Sequence, residues 1–72
     1  MNMTISEKIR LLAKRKGNTL GDLADMTGQS RQNLSNKLQR DNFSVGELNK
    51  IAASLGCTLE ISFIDDTTGE KI

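Results

Sequence analysis

The stretch LGDLADMTGQSRQNLSNKL, residues 20–38, joins two short helical patterns at a glycine. The first, Leu20 to Thr27, places Leu20, Leu23 and Ala24 on one side. The second, Arg31 to Leu38, turns Leu34 and Leu38 inward and crowds its other face with amides and cations. A tight turn of Gly28, Gln29 and Ser30 connects them. Few tasks need a rigidly mounted helix whose free face is Arg, Gln, Asn, Ser and Lys. Reading base edges in a DNA major groove is one, because guanidinium and amide groups offer paired hydrogen-bonding atoms at the right spacing.

Outward from this stretch the helical pattern continues on both sides. Thr4 and Glu7 form a T-x-x-E capping box that opens a helix expected over about Ile5 to Lys16. Ile5, Ile9, Leu12 and Ala13 define its buried stripe, and Lys14, Arg15 and Lys16 complement the negative end of its dipole. Lys14 to Lys16 are as well explained by that dipole as by phosphate contact. Gly17 closes the helix in left-handed geometry. Thr19 caps the second helix, with Asp22 three residues on, and Ser30 caps the third. Asp41 and Asn42 mark a loop. Ser44 and Glu47 form another capping box, Phe43 and Leu48 take the staple positions, and Val45, Leu48, Ile51, Ala52 and Leu55 line one face of a fourth helix ended by Gly56.

Past Gly56 the period changes. In residues 57–63 the odd positions, among them Cys57, Leu59, Ile61 and Phe63, are apolar and the even ones polar, as in a half-buried strand. Asp65 to Gly69 reads as a hairpin connection, and Glu70 to Ile72 as a short return strand. A two-stranded ribbon alone is marginal in water. Leu59, Ile61 and Phe63 therefore need a partner surface, either the chain's own helices or the same strand of a second subunit. Self-pairing is placed ahead, because two-fold dimers are the commonest oligomers.

Composition bounds the function. Seventy-two residues make one small domain near the lower limit for a self-sufficient core. A lone cysteine, Cys57, and the absence of His leave no usual metal-ligand set. No apolar run approaches the ~18 residues of a membrane span and no hydrophobic signal core opens the chain, so a soluble, cytoplasmic protein without a membrane partner is expected. The net charge of +1 divides into +4 through Gly56 and −3 beyond it. That asymmetry suits a first part that meets a polyanion. Asp22 and Asp25 read as cap and surface acids, Asp65 and Asp66 as turn residues, and Met1, Met3 and Met26 as initiation or packing residues. No nucleophile, general base or phosphate-cradling loop is present, so neither an enzyme nor a cofactor is expected.

Ala24, Gly28 and Leu34 stand at the A-x3-G-x5-L spacing of the bacterial helix-turn-helix. Ala24 must be small where two helices cross, Gly28 supplies the turn, and Leu34 locks the second helix into the core. With a helix before and another after, residues 4–56 resemble the lambda-repressor and Cro-like family of DNA-binding domains. The resemblance implies a mainly α fold: a four- to five-helix lambda-repressor-like bundle over residues 1–56, with a short C-terminal β-strand or hairpin over 57–72 as the expected dimerisation element. It matches the family's base-reading positions to Arg31, Gln32 and Asn36. Thr19, Gln29, Ser30, Asn33, Ser35, Lys37, Gln39 and Arg40 are then the candidates for contacts to the DNA backbone. One position departs: where relatives often start the second helix with a phosphate-anchoring Gln, this chain has Leu20, followed by Gly21.

The expected function is sequence-specific binding of double-stranded DNA to regulate transcription, by repression through occlusion, as a homodimer on a pseudo-palindromic operator. Two alternatives share the scaffold. One is an antitoxin whose ribbon binds a toxin partner. The other is a protein-interaction module that lost DNA binding.

Overall fold

The computed structural model describes residues 3–72; Met1 and its expected initiation role lie outside them. Four helices follow one another: α1 (Ile5–Arg15), α2 (Leu20–Met26), α3 (Arg31–Arg40) and α4 (Val45–Ser54). Each opens on a hydroxyl side chain that accepts a hydrogen bond from the backbone three residues on: Thr4, Thr19, Ser30 and Ser44. Such caps satisfy donors that the helix itself leaves orphaned. The boxes at Thr4–Glu7 and Thr19–Asp22 are reciprocal. At Ser44 the expected return bond is replaced. Glu47 instead receives the Ser44 hydroxyl and the ammonium of Lys37.

Ile9, Leu23, Ala24, Leu34, Leu38, Ile51 and Leu55 form one buried cluster, with Leu12, Leu20, Phe43, Leu48 and Cys57 packed at its edge. Leu23 and Leu34 are fully covered. Two residues expected on buried faces are not. Ile5 and Val45 stand in the first turns of α1 and α4 and remain 39% and 55% exposed. Ser6 takes the inward place at the start of α1, and its hydroxyl lies 2.7 Å from both Leu38 O and Asp41 Oδ1.

The third helix is longer than the sequence pattern suggests. It continues past Leu38 to Arg40 and ends where Asp41 adopts φ 53°. Between α2 and α3, Gly28 takes φ 67°. The N–H of Gln29 then reaches Ala24 O at 3.0 Å and that of Gly28 reaches Asp25 O at 3.2 Å, the paired closure of a Schellman motif.

The expected strand over residues 57–63 is not formed. Among the described residues no strand is present, and β structure is confined to one antiparallel bridge, Ile64–Lys71. Backbone bonds between Phe63 and Ile72, at 2.9 and 2.8 Å, flank it. Only the last few residues return, so most of the segment has no ladder partner among the described residues. Cys57 and Leu59 are half-buried in a groove beside Ile5, Ile9, Leu48 and Ile51, whereas Ile61 and Phe63 are exposed. The radius of gyration of 13.7 Å exceeds the roughly 11 Å of a compact chain this long, in keeping with a tail that stands off the bundle.

Candidate nucleic-acid interface

Burial of Leu34 and Leu38 fixes the roll of α3, because residues at i and i+4 share one face. The face opposite is free. Arg31 is the first residue of α3 and is exposed, as are Gln32 and Asn36 one turn apart. Gln32 Nε2 donates to Asn36 Oδ1 at 3.1 Å. The pair holds its two amides side by side, and each amide keeps donor and acceptor capacity for a ligand. The helix carries Arg31, Lys37 and Arg40 and no acid.

Behind this face runs a polar brace. Thr27 is buried; its hydroxyl donates to Leu23 O at 2.8 Å and accepts from Gln29 Nε2 at 2.8 Å. Gln29 Oε1 in turn accepts from Asn33 Nδ2 at 2.8 Å. The turn is thereby tied to α2 on one side and to the first turn of α3 on the other. Gln29 is half-buried, and both ends of its amide are already engaged.

The remaining expected contact residues differ in how free they are. Thr19 and Ser30 are exposed caps, each accepting a backbone N–H. Ser35 is half-buried, while Gln39 and Arg40 are exposed. Lys37 is half-buried and paired with Glu47 across to α4. The hydrogen bond from Lys37 holds the Glu47 carboxyl below its ordinary pKa. Lys37 thus has a protein partner, whereas Arg31 and Arg40 have none among the described residues.

Two polar residues join this surface that sequence reasoning left out. Asn42 closes a cleft of about 240 Å³ together with Asn33, Asn36, Lys37 and Arg40. Lys50 of α4 reaches the turn, its Nζ 4.0 Å from where a side chain on Gly28 would begin. In the sequence Asn42 is an ordinary loop residue and Lys50 an ordinary surface lysine. Asn42 is placed by the end of α3, where its N–H reaches Lys37 O at 3.2 Å after left-handed Asp41, and Lys50 by how α4 crosses behind the turn. Leu59, Ile61 and Phe63, expected as an interface with a second subunit, are in the tail rather than on α3.

Among the described residues no group of three His, Cys, Asp or Glu side chains is gathered for a metal, and no helix is long and apolar enough to cross a membrane. A family model described as a Cro/C1-type HTH DNA-binding domain matches residues 8–60. No curated protein and no solved structure matches the chain.

Proposed function

This chain belongs to the Cro/C1-type HTH DNA-binding family, and on that premise we propose that it represses transcription by binding specific double-stranded sites through α3. The observation that carries the reading is the exposed trio Arg31, Gln32 and Asn36 on a helix held by buried Leu34 and Leu38. A bidentate Arg31 suits guanine O6 and N7, and Gln32 or Asn36 suits adenine N6 and N7. Arg40, Asn42, Lys50 and the hydroxyls of Thr19 and Ser30 serve the phosphates, which set register without reading sequence. Asn33, Ser35, Lys37 and Gln39 belong to the same flank, with Lys37 released from Glu47 on contact.

The proposed binding unit is a homodimer formed through the tail. Residues 58–62 make no backbone hydrogen bond among the described residues, and Ile61, Phe63, Ile64 and Ile72 are 53–79% exposed. Edges of this kind recruit another strand. A two-fold dimer then calls for an inverted repeat with half-sites about one helical turn apart. The same exposed tail favours a toxin partner as the second reading, in which α3 still binds the promoter.

Selection of bound sites from a random duplex pool tests the proposal. Recovery of an inverted repeat supports both base reading and dimer symmetry. Recovery of no preferred sequence, with binding insensitive to salt, overturns it, since phosphate neutralisation makes affinity fall as salt rises.

A further inference from the structure

The hydroxyl oxygen of Thr27 lies 2.8 Å from Leu23 O and 3.3 Å from Ala24 O. Oxygens sit that close only with a proton between them, so the single hydroxyl hydrogen is committed to these carbonyls. Thr27 is buried, and its oxygen keeps acceptor capacity alone. Of the two ends of the Gln29 amide, only the N–H end can face it, and Nε2 does so at 2.8 Å. Gln29 Oε1 is thereby turned toward α3, where only a donor can meet it. Asn33 Nδ2 is that donor, at 2.8 Å. The sense of one buried hydroxyl thus passes through two amides to an exposed residue in the first turn of α3. Asn33 Oδ1, at the end of the chain, makes no hydrogen bond among the described residues.

We infer that Asn33 reads a base in addition to the trio, and that Thr27 is the positioning residue that decides which bases it accepts. The inference rests on the DNA-binding reading and extends it. In a recognition helix the N-terminal residues contact base edges, and Asn33 is the third residue of α3, in one cleft with Asn36. An unbraced asparagine can swing its amide by half a turn and satisfy a donor or an acceptor equally. Here Nδ2 is held by Gln29, and Oδ1 is the end left free. It accepts from an amino group, which adenine and cytosine present in the major groove. Guanine and thymine present acceptors there and no donor, so Oδ1 is repelled by them. Thr27 touches no DNA and acts through Gln29.

The test recovers bound sites from a random duplex pool with the unaltered protein, Thr27→Val, Thr27→Ser and Asn33→Ala. Valine keeps the shape of threonine and deletes the hydroxyl, whereas serine keeps the hydroxyl. The unaltered protein and Thr27→Ser should select adenine or cytosine over guanine and thymine at one position of the half-site. Thr27→Val should admit all four bases at that position, losing roughly tenfold in discrimination there, and keep its preferences elsewhere. Asn33→Ala should relax the same position, and adding Thr27→Val to it should relax that position no further. A merely structural role for Thr27 predicts instead that selected and random duplexes weaken alike as the folded fraction falls. If thermal melting shows Thr27→Val to be largely unfolded, Gln29→Met cuts the relay, spares the bond from Thr27 to Leu23 O, and gives the same comparison. Variants that keep the full preference, relax different positions, or weaken both duplexes equally overturn the relay and leave the DNA reading standing. An unaltered protein with no preferred sequence overturns both.

Discussion

Asp41 Oδ1 lies 2.7 Å from the backbone nitrogen of Ser6 and 2.7 Å from its hydroxyl oxygen. A carboxylate at the end of α3 therefore answers an orphan N–H in the first turn of α1, where the helix dipole also favours negative charge. The last turn of the exposed helix is fastened to the first turn of the chain. Asp41→Ala should cost about 1–3 kcal/mol, the range for hydrogen bonds to a charged group plus left-handed strain. Asp41→Asn should cost less, because Asn tolerates that backbone and keeps an acceptor. Urea denaturation of the two variants checks the order.

Gly28 gives a second stability test. A side chain added there meets only Lys50 Nζ, at 4.0 Å, so space does not oppose Gly28→Ala. The φ of 67° does. The variant should keep the fold and lose about 1–2 kcal/mol. A melting temperature equal to that of the unaltered protein would contradict the assigned turn geometry.

Arg31→Ala separates reading from folding. The side chain is exposed and without an ion-pair partner among the described residues, so stability should be unchanged. Affinity for the selected site should fall by about 1–3 kcal/mol, with preference relaxed at one base pair. Equal affinity and equal preference would remove Arg31 from the reader set.

Glu47→Gln should act in the opposite direction. It frees Lys37 and deletes a negative charge beside the proposed phosphate contacts, so affinity at low salt should rise severalfold on any duplex. The pair also makes a small, partly exposed contribution to stability. Because the folded carboxyl titrates below its unfolded value, held there by the hydrogen bond from Lys37, that contribution is present above the unfolded value and drains as pH falls through the folded one. Acid unfolding of Glu47→Gln should lack this component, and superimposable acid profiles would refute the pairing.

Phe63 tests the tail. It is 77% exposed, so Phe63→Ser should leave the unfolding free energy of an isolated chain unchanged. Sedimentation should show the dimer dissociating at concentrations where the unaltered protein is associated. A monomeric unaltered protein would turn attention to a different partner for this surface.

The helices were legible because their signals are local. Hydroxyl caps, Gly28, and the spacing of Leu34 and Leu38 each act within about a turn of chain. The length of α3 was less legible. Lys37, Gln39 and Arg40 suit a helix as well as a loop approach, and it is the left-handed Asp41 that stops it. The alternation over residues 57–63 was a sound pattern with a missing requirement. A strand exists only through its ladder, and here just a few residues come back to pair.

From its residues alone the chain specified which segments coil, where they turn, and which face of the third helix stays clear of the core, because periodicity and capping are properties of neighbours along the backbone. Only the packed structure decided that Ser6 meets Asp41, that Glu47 holds Lys37, and that Lys50 reaches the turn. Those pairs are set by the angles at which helices cross, and no short-range spacing encodes them.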